Sequence, residues 1–460
     1  MCIRRIALAL TAFLMGMTGG CLAQNFDDSF RDQTLRLDYI FSGDNRSQQI
    51  YLDEMRRSEG WYGRRVHLDS LLLKGNGQIT VADTMGVVLY RHSFSTLFQE
   101  WQVTQEATRV KKSFENVFLV PMPKAPVDIT VSLFDTHGRV SSSMKHRVDP
   151  ADILIRPVGE MCRWEYLRTG GDSRGKIDIA FVAEGYQPDQ MNIFRRDCQE
   201  TIEALLAHEP FHSMADRFNF IAVYAPSEDS GVSIPHEGLW KRTATASHFD
   251  TFYSERYLTT LHLKQLHDLL SGIPYEHIVI LANTDNYGGG GIYNSYMLSA
   301  AHHPTCKPVA VHEFGHSFAG LGDEYYYDDQ YETLYPADTE PWEPNLTTLV
   351  DFSAKWQDMM PPKATVPTQP SGKNLYSEVG VYEGGGYQSK GVYRPSQECR
   401  MKINEAPVFC PVCQRAIYHH RGKADKLQSV PYGNIFFDCA TKTTQCLFHK
   451  CLFRILHLSY

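Results

Sequence analysis

Two histidines and a glutamate lie within five consecutive residues of the segment Val311–Gly320, whose sequence is VHEFGHSFAG. His312 and His316 are four residues apart, so on a helix both side chains project from one face, one turn from each other. Two imidazoles in this arrangement can bind one Zn²⁺ ion at nitrogen–metal distances of about 2.0–2.1 Å. We therefore expect the segment to be a helix that contributes two zinc ligands.

Glu313 directly follows the first of these histidines. A carboxylate at that position can take a proton from a zinc-activated water and deliver it to the leaving amine of a peptide bond. The apolar residues Val311, Phe314 and Phe318 populate another face of the helix, which can pack inward while the histidines line a cleft. The pattern HExxH also occurs by chance in helices that bind no metal, but here the surrounding residues favour Glu313 as a catalytic base.

A catalytic zinc site needs a third protein ligand and an open position. The helix is expected to end at Gly320, and Asp323 follows three residues later. This spacing resembles that of metzincin peptidases, in which a glycine ends the zinc helix and a His or Asp three residues on completes the site. The metzincin glycine normally falls one residue earlier, at the position of Ala319, and one inserted residue would move glycine and ligand together. We therefore predict Asp323 as the third ligand, with Glu324 or a more distant glutamate as alternatives.

The chain is 460 residues long, more than one hydrophobic core usually supports, and this length predicts two or three domains. Its formal net charge is -8 and it has no large basic block. Nucleic-acid-binding domains normally present a basic face, so we expect no nucleic-acid partner.

The first 23 residues have the pattern of a secretory signal peptide. Arg4 and Arg5 precede the apolar run Ile6–Met17, and small residues follow as far as Ala23. We expect cleavage after Ala23 and a mature protein that is secreted, periplasmic or at the cell surface. Lipid anchoring at Cys21 is the less favoured alternative, because a threonine stands where a lipoprotein signal has a leucine-like residue. The apolar run is too short to span a bilayer and no other segment is long enough, so we expect no membrane span.

From residue 24 to residue 150, short β segments are separated by Gly, Asp and Asn turns, which predicts an N-terminal β-sandwich. Leu97–Val110 interrupts them with a more helical spacing. The region contains no catalytic constellation, so we expect it to have a structural or docking role. Its predicted strands are Thr34–Phe41, Val66–Leu73, Gly77–Ala82, Gly86–Arg91, Asn116–Val120 and Val127–Phe134.

From residue 158 to residue 432, predicted strands and helices alternate, which indicates an α/β domain that carries the catalytic residues. A last helix is expected to begin near Pro411, and residues 433–460 form a tail to which we assign no structure. The predicted strands are Lys176–Ala183, Phe218–Tyr224 and His277–Ala282, and the predicted helices are Met191–Leu206 and Tyr257–Leu270.

Cys410 and Cys413 form a C-x-x-C pair at the start of the last predicted helix. Such a pair occurs in redox sites and as half of a structural zinc site. A structural zinc site needs a second pair, and only isolated cysteines follow. In an exported protein we therefore favour a disulfide, with Cys399 as a candidate partner.

Several longer strings resemble the IgA peptidase family of zinc metallopeptidases, over residues 31–420. The resemblance implies a metzincin-like α/β peptidase domain after a β-rich leading domain, and zinc-dependent endopeptidase activity on a protein or peptide outside the cytoplasm. It fixes neither the substrate nor the oligomeric state. The matching strings are HEFGHSFAGLGDEYYY (His312–Tyr327), FDTFYSERYLT (Phe249–Thr259), NYGGGGIYN (Asn286–Asn294), EPNLT (Glu343–Thr347), GVYRP (Gly391–Pro395), CRM (Cys399–Met401), FCPVC (Phe409–Cys413) and FSTLFQEW (Phe94–Trp101).

Two other parts of the sequence have a candidate role. Met401 matches the methionine that metzincins place beneath the zinc, although it is equally typical of an ordinary core. Tyr287–Tyr293 contains four glycines and is either a rim strand that binds an extended peptide through its backbone or a flexible loop.

Overall fold

The strands form four sheets within the residues that the computed structural model describes, 25–328 and 334–420. The predicted signal peptide (1–23) and the unassigned tail (433–460) lie outside the described residues. Among the described helices, none combines the length and the apolar character that crossing a membrane requires.

Two four-stranded sheets make up the N-terminal region, with strand orders β5-β1-β2-β8 and β4-β3-β6-β7. All their pairs are antiparallel except that of the two-residue strand β8 with β2. Phe41, Phe94 and Phe118 come from both sheets and pack in one core, with ring centroids 4.2–6.2 Å apart. The strands are β1 (Phe30–Gly43), β2 (Gln48–Glu59), β3 (Gly77–Asp83), β4 (Val88–Phe94), β5 (Lys112–Pro123), β6 (Val127–Phe134), β7 (Val140–Val148) and β8 (Arg156–Pro157).

The predicted strand Val66–Leu73 is wrong, because this segment is a series of turns. Arg64 donates hydrogen bonds from its guanidinium to the carbonyls of His67, Leu68 and Ser70, at 2.7–3.0 Å. The Leu68 carbonyl also accepts from the Arg91 N–H of β4 at 2.8 Å, and His67 adopts a positive φ of 51°, which residues in a strand do not have. The hydrogen bonds from the buried Arg64 thus stabilise a turn conformation where the local sequence favours a strand.

The predicted helix Tyr257–Leu270 is shorter in the structure, where it spans only Leu263–Leu269. Thr259 exchanges backbone hydrogen bonds with His248 at 3.0–3.2 Å. Because this pairing holds the first part of the segment extended, the helix begins only after it.

A six-stranded mixed sheet follows, in the order β13-β14-β12-β10-β11-β9. Its four central strands are parallel and its two edge strands are antiparallel to their neighbours. The predicted strands and the helix Met191–Leu206 are confirmed in this part. The strands are β9 (Arg163–Arg168), β10 (Ile177–Glu184), β11 (Phe218–Tyr224), β12 (His277–Ala282), β13 (Gly289–Ile292) and β14 (Tyr296–Ala300).

Both faces of this sheet are covered, which explains why its central strands are buried along their whole length and are mostly apolar. Ile179 and Phe181 point to a core shared with the longer helices. Ala180 and Val182, on the opposite face, belong to a core continuous with that of the N-terminal sheets. The helices are α1 (Phe26–Ser29), α2 (Leu97–Gln102), α3 (Met191–Leu206), α4 (Leu263–Leu269), α5 (Cys306–Ala319) and α6 (Pro411–His420).

The described residues between α5 and α6 are mostly loop and carry a small three-stranded sheet in the order β15-β17-β16. These strands are β15 (Tyr326–Tyr327), β16 (Tyr382–Gly385) and β17 (Tyr387–Arg394). The pairing of β15 with β17 brings residues far apart in sequence next to the end of α5.

Candidate metal centre

Helix α5 presents its two histidines away from the core. Phe314 and Phe318 on the same helix are fully buried, whereas the side chains of His312 and His316 keep 12% and 15% of their surface exposed. The helix ends at Gly320, whose φ of 62° is the left-handed conformation that glycine adopts most easily. The predicted end of the helix is therefore confirmed, and the chain turns back toward the histidines.

Asp323 completes a compact group with the two histidines. Its Oδ1 atom lies 3.0 Å from His312 Nε2 and 3.1 Å from His316 Nε2, and the two Nε2 atoms are 3.0 Å apart. Ligand atoms about 2.0–2.1 Å from a tetrahedral Zn²⁺ ion are about 3.3 Å from one another. The three side chains thus have nearly the mutual spacing that one such ion requires.

The backbone orients both histidine rings. The Nδ1–H group of His312 donates to the carbonyl of Arg400 at 3.0 Å, and that of His316 donates to the carbonyl of Leu321 at 2.5 Å. A carbonyl only accepts hydrogen bonds, so Nδ1 carries the proton in each ring. The Nε2 atoms therefore face Asp323 and are the ring atoms available to a metal ion, since histidine ligands of metals usually donate their other ring N–H to such a partner.

Tyr387 holds the second oxygen of Asp323 through a short hydrogen bond from its hydroxyl group. Burial alone would lower the pKa of His316, but the Asp323 carboxylate raises it to about 10. Burial opposes ionisation of Asp323, yet the charges of His316 and His312 hold its pKa below the usual value. The group thus retains a proton between a carboxylate and imidazoles, and a divalent cation can take that proton's place.

Glu324, the alternative ligand, points elsewhere. Its backbone N–H donates to the Met401 carbonyl at 2.8 Å, and its side chain accepts from Asn345 at 2.9 Å. Its carboxylate belongs to a separate group of buried side chains. Of the two acids considered, the structure brings only Asp323 to the histidines.

Glu313 lies beside the three grouped side chains without joining them. A Cβ atom placed on Gly289 would lie 3.1 Å from Glu313 Oε1, so the carboxylate rests against strand β13. Burial raises the pKa of Glu313 above its usual value, against the opposing effect of His312 and His316. A raised pKa brings a carboxylate closer to the range in which it exchanges protons near neutral pH.

Met401 is fully buried beneath helix α5. Its sulfur would lie 2.8 Å from a Cβ atom placed on Gly315, one residue before His316. Arg400, the preceding residue, supplies the carbonyl that orients His312. The turn of Met401 therefore supports the helix from below, close to the metal-ligand candidates.

The glycine-rich segment forms strand β13 and not a free loop. Its Gly289 is already bonded on the outer side, where Leu258 N–H donates to it and it donates to Arg256, both at 3.4 Å. Less of this edge is therefore open to a substrate backbone than the sequence suggests, and its role in peptide binding stays a prediction.

Gly291 on β13 is required by the close approach of helix α5. A Cβ atom at this position would lie 2.4 Å from the Glu313 carbonyl oxygen and 2.9 Å from His316 Cβ. We expect Gly291→Ala to lower the free energy of unfolding by about 1–3 kcal/mol, as overpacking does. Thermal unfolding measures the change, with Gly159→Ala as the control because its Cβ would meet nothing within 4 Å. An unchanged melting temperature in Gly291→Ala would contradict this account.

The N-terminal region forms one side of the cleft that contains these residues, a cavity of about 1510 Å³. Gln48, Lys74 and Glu100 line it together with Glu313. The Glu100 carboxylate accepts a short hydrogen bond from Tyr257, and burial raises its pKa to about 7. No site residue was predicted in this region, although Glu100 falls in the FSTLFQEW string.

Two family models match the chain. One, described as IgA Peptidase M64, matches residues 166–375 and 371–420. The other, described as Peptidase M64 N-terminus, matches residues 25–145. The first match covers more than half of the chain and contains all the residues of the metal-centre candidate. A comparison with curated proteins finds no match.

Proposed function

The chain belongs to the IgA peptidase M64 family of metallopeptidases, and from this premise we propose that it is a zinc-dependent endopeptidase acting outside the cytoplasm. We assign the metal to His312, His316 and Asp323 and the general base to Glu313. The observation that carries this assignment is the convergence of two Nε2 atoms and one carboxylate oxygen within 3.0–3.1 Å.

The donor set fits zinc better than a harder cation. Two neutral imidazoles and one carboxylate are typical of catalytic zinc sites, whereas Mg²⁺ and Ca²⁺ take oxygen ligands. Three protein ligands also leave one position of a tetrahedron open. The glycine turn after the helix, the acid three residues later and the buried Met401 beneath the site together support a metzincin-like arrangement.

The chemistry follows from the position of Glu313, which lines the same cleft as His312, His316 and Asp323. When bound, zinc polarises the peptide carbonyl and lowers the pKa of the attacking water. Glu313 accepts the proton of that water and then delivers it to the nitrogen of the leaving amine. The carbonyl groups of Arg400 and Leu321 keep the histidine rings in one tautomer throughout.

The size of the cleft supports a protein or peptide as the substrate. It extends from Glu313 to side chains of the N-terminal region such as Gln48 and Lys74, and its volume of about 1510 Å³ exceeds that of common small-molecule sites. The N-terminal region thus contributes to substrate binding in this proposal. Digestion of a broad protein mixture, with the zinc content of the enzyme measured in parallel, tests the function as a whole.

Tyr387→Phe is expected to weaken zinc binding about 10–100-fold, the usual cost of removing a group that supports a ligand. The variant keeps the ring but loses the hydroxyl group that donates to Asp323. Competition with a chelator of known affinity measures the change. Tyr327→Phe is the control, because that side chain is exposed. Equal zinc affinity in wild type and Tyr387→Phe would remove Tyr387 from the supporting role.

Export rests on the basic, apolar and small-residue pattern of residues 4–23. We expect the mature chain to begin at Gln24, which N-terminal sequencing of the exported protein would show. A lipid on Cys21 would contradict this cleavage site, and a retained Met1 would contradict export through a cleaved signal peptide.

A further inference from the structure

A second group of potential metal ligands lies outside the candidate active centre. Glu324, Cys399, Cys410 and Cys413 are all buried, and their ligand atoms lie within 4.8 Å of one another. They come from three places in the chain: the loop after α5, the turn that contains Met401, and the start of α6. We propose that these four residues bind a second Zn²⁺ ion, which holds these three segments together.

The distances between the sulfur atoms fit a shared ion. Cys399 Sγ and Cys413 Sγ are 3.8 Å apart. Two sulfur ligands at about 2.3 Å from a tetrahedral Zn²⁺ ion are about 3.8 Å apart, whereas a disulfide brings them to about 2.05 Å. All six cysteines of the described residues are free. The disulfide that the sequence favours is therefore not formed in the structure, and a disulfide between two of these three cysteines would still leave one thiol unpaired.

The Glu324 carboxylate is the second observation that points to a cation. The residue is fully buried, and its Oε2 atom has no hydrogen-bond partner. Its Oε1 atom accepts from Asn345 at 2.9 Å and lies 3.1 Å from Cys413 Sγ. A buried carboxylate with one unsatisfied oxygen is costly, and an ion between this oxygen and the sulfur atoms would remove that cost.

Two buried arginines balance the charge of such a site. Three thiolates and a carboxylate carry more negative charge than one Zn²⁺ ion neutralises. Arg394 interacts electrostatically with Glu324, and Arg400 with Cys399. Both guanidinium groups have an Nε atom without a hydrogen-bond partner. The surroundings of the four ligands are therefore suited to an anionic metal cluster.

The location of the group indicates a structural role. Glu324 directly follows Asp323, and Cys399 precedes Arg400, whose carbonyl orients His312. An ion on these residues would fix both segments relative to α5. With four protein ligands the site is closed, as structural zinc sites are, and leaves no position for a substrate.

Metal analysis of the full chain and of the double variant His312→Ala/His316→Ala tests the proposal. The double variant removes the candidate catalytic ligands and leaves the cysteine group intact. We expect about two zinc ions per chain in the wild type and about one in the double variant, in accordance with one closed site of four ligands. In the cobalt-substituted double variant, we expect a thiolate-to-cobalt charge-transfer band.

Single substitutions then locate the remaining ion. In the background of the double variant, Cys399→Ser and Glu324→Gln should lower the zinc content, whereas Cys162→Ser should not, because Cys162 lies outside the group. If a serine variant fails to fold, a mercurial added to the folded double variant should release zinc in step with the loss of free thiols.

Two outcomes would overturn the second site. One is a folded double variant that holds no zinc. The other is a disulfide among Cys399, Cys410 and Cys413, seen as a mass lower by two hydrogens without reduction. Failure of the proposed function is distinct: a wild type with one zinc ion that the double variant retains would contradict the catalytic site and support this one.

Discussion

Glu313→Gln is expected to keep its fold and its zinc while losing most of its peptidase turnover. Glutamine has nearly the size and polarity of glutamate but cannot take a proton at neutral pH. Glu313 lies beside the group of His312, His316 and Asp323 without belonging to it, so the substitution should leave metal binding intact. Removal of a general base typically costs roughly 10²–10⁴-fold in rate. Peptide cleavage by purified wild type and variant, at equal zinc content, measures the effect.

Glu405→Gln is the matched control for that substitution. Glu405 is exposed and belongs to neither group of candidate metal ligands, so the same chemical change there should leave turnover unaltered. Equal activity of wild type and Glu313→Gln at equal zinc content would rule out the mechanism proposed for this site. Absence of cleavage by wild type across a broad substrate panel would instead favour a binding protein.

The candidate ligands could be predicted from the sequence because they are local. His312, Glu313 and His316 share one helix, and Asp323 follows its glycine turn closely. Their relative positions therefore depend on helix geometry and one short connection, both of which the residue pattern specifies. Strands β10, β11 and β12 of the mixed sheet were predicted with accurate bounds because their mostly apolar runs are also a local feature of the sequence.

The residues that orient these ligands could not be predicted, because they come from distant parts of the chain. Tyr387 reaches Asp323 only through the pairing of β15 with β17. The Arg400 carbonyl lies against His312 because of the packing of its turn beneath α5. Glu100 enters the cleft from the N-terminal region. None of these contacts leaves a periodicity or a spacing in a single sequence.

Strand β2 was missed for a related reason. Of its 12 residues only Ile50 is buried, so the strand shows no alternation of apolar and polar residues. It exists because its backbone pairs with β1 along nearly its whole length. Apolar periodicity reports burial and not backbone pairing, so it does not detect a strand whose faces are mostly accessible.

Asp323→Ala is expected to abolish zinc binding at the active centre and, with it, peptidase activity. The side chain supplies the only carboxylate in the group with His312 and His316, as far as the described residues show. Loss of a supporting hydrogen bond costs roughly 10–100-fold in metal affinity, and loss of a ligand itself should cost more. The zinc content should fall by one ion per chain, measured together with activity across a range of added zinc.

Asp338→Ala is the control for the loss of a carboxylate near the cleft, since that side chain is 75% exposed and should not affect zinc content. Asp323→Asn refines the test, because it keeps the size of the side chain and a carbonyl oxygen but removes the charge. We expect it to bind zinc more weakly than wild type and more tightly than Asp323→Ala. If Asp323→Ala keeps its full zinc content and its activity, Asp323 is not the third ligand. The glycine-to-acid spacing that singles out Asp323 would then be the wrong guide to this site.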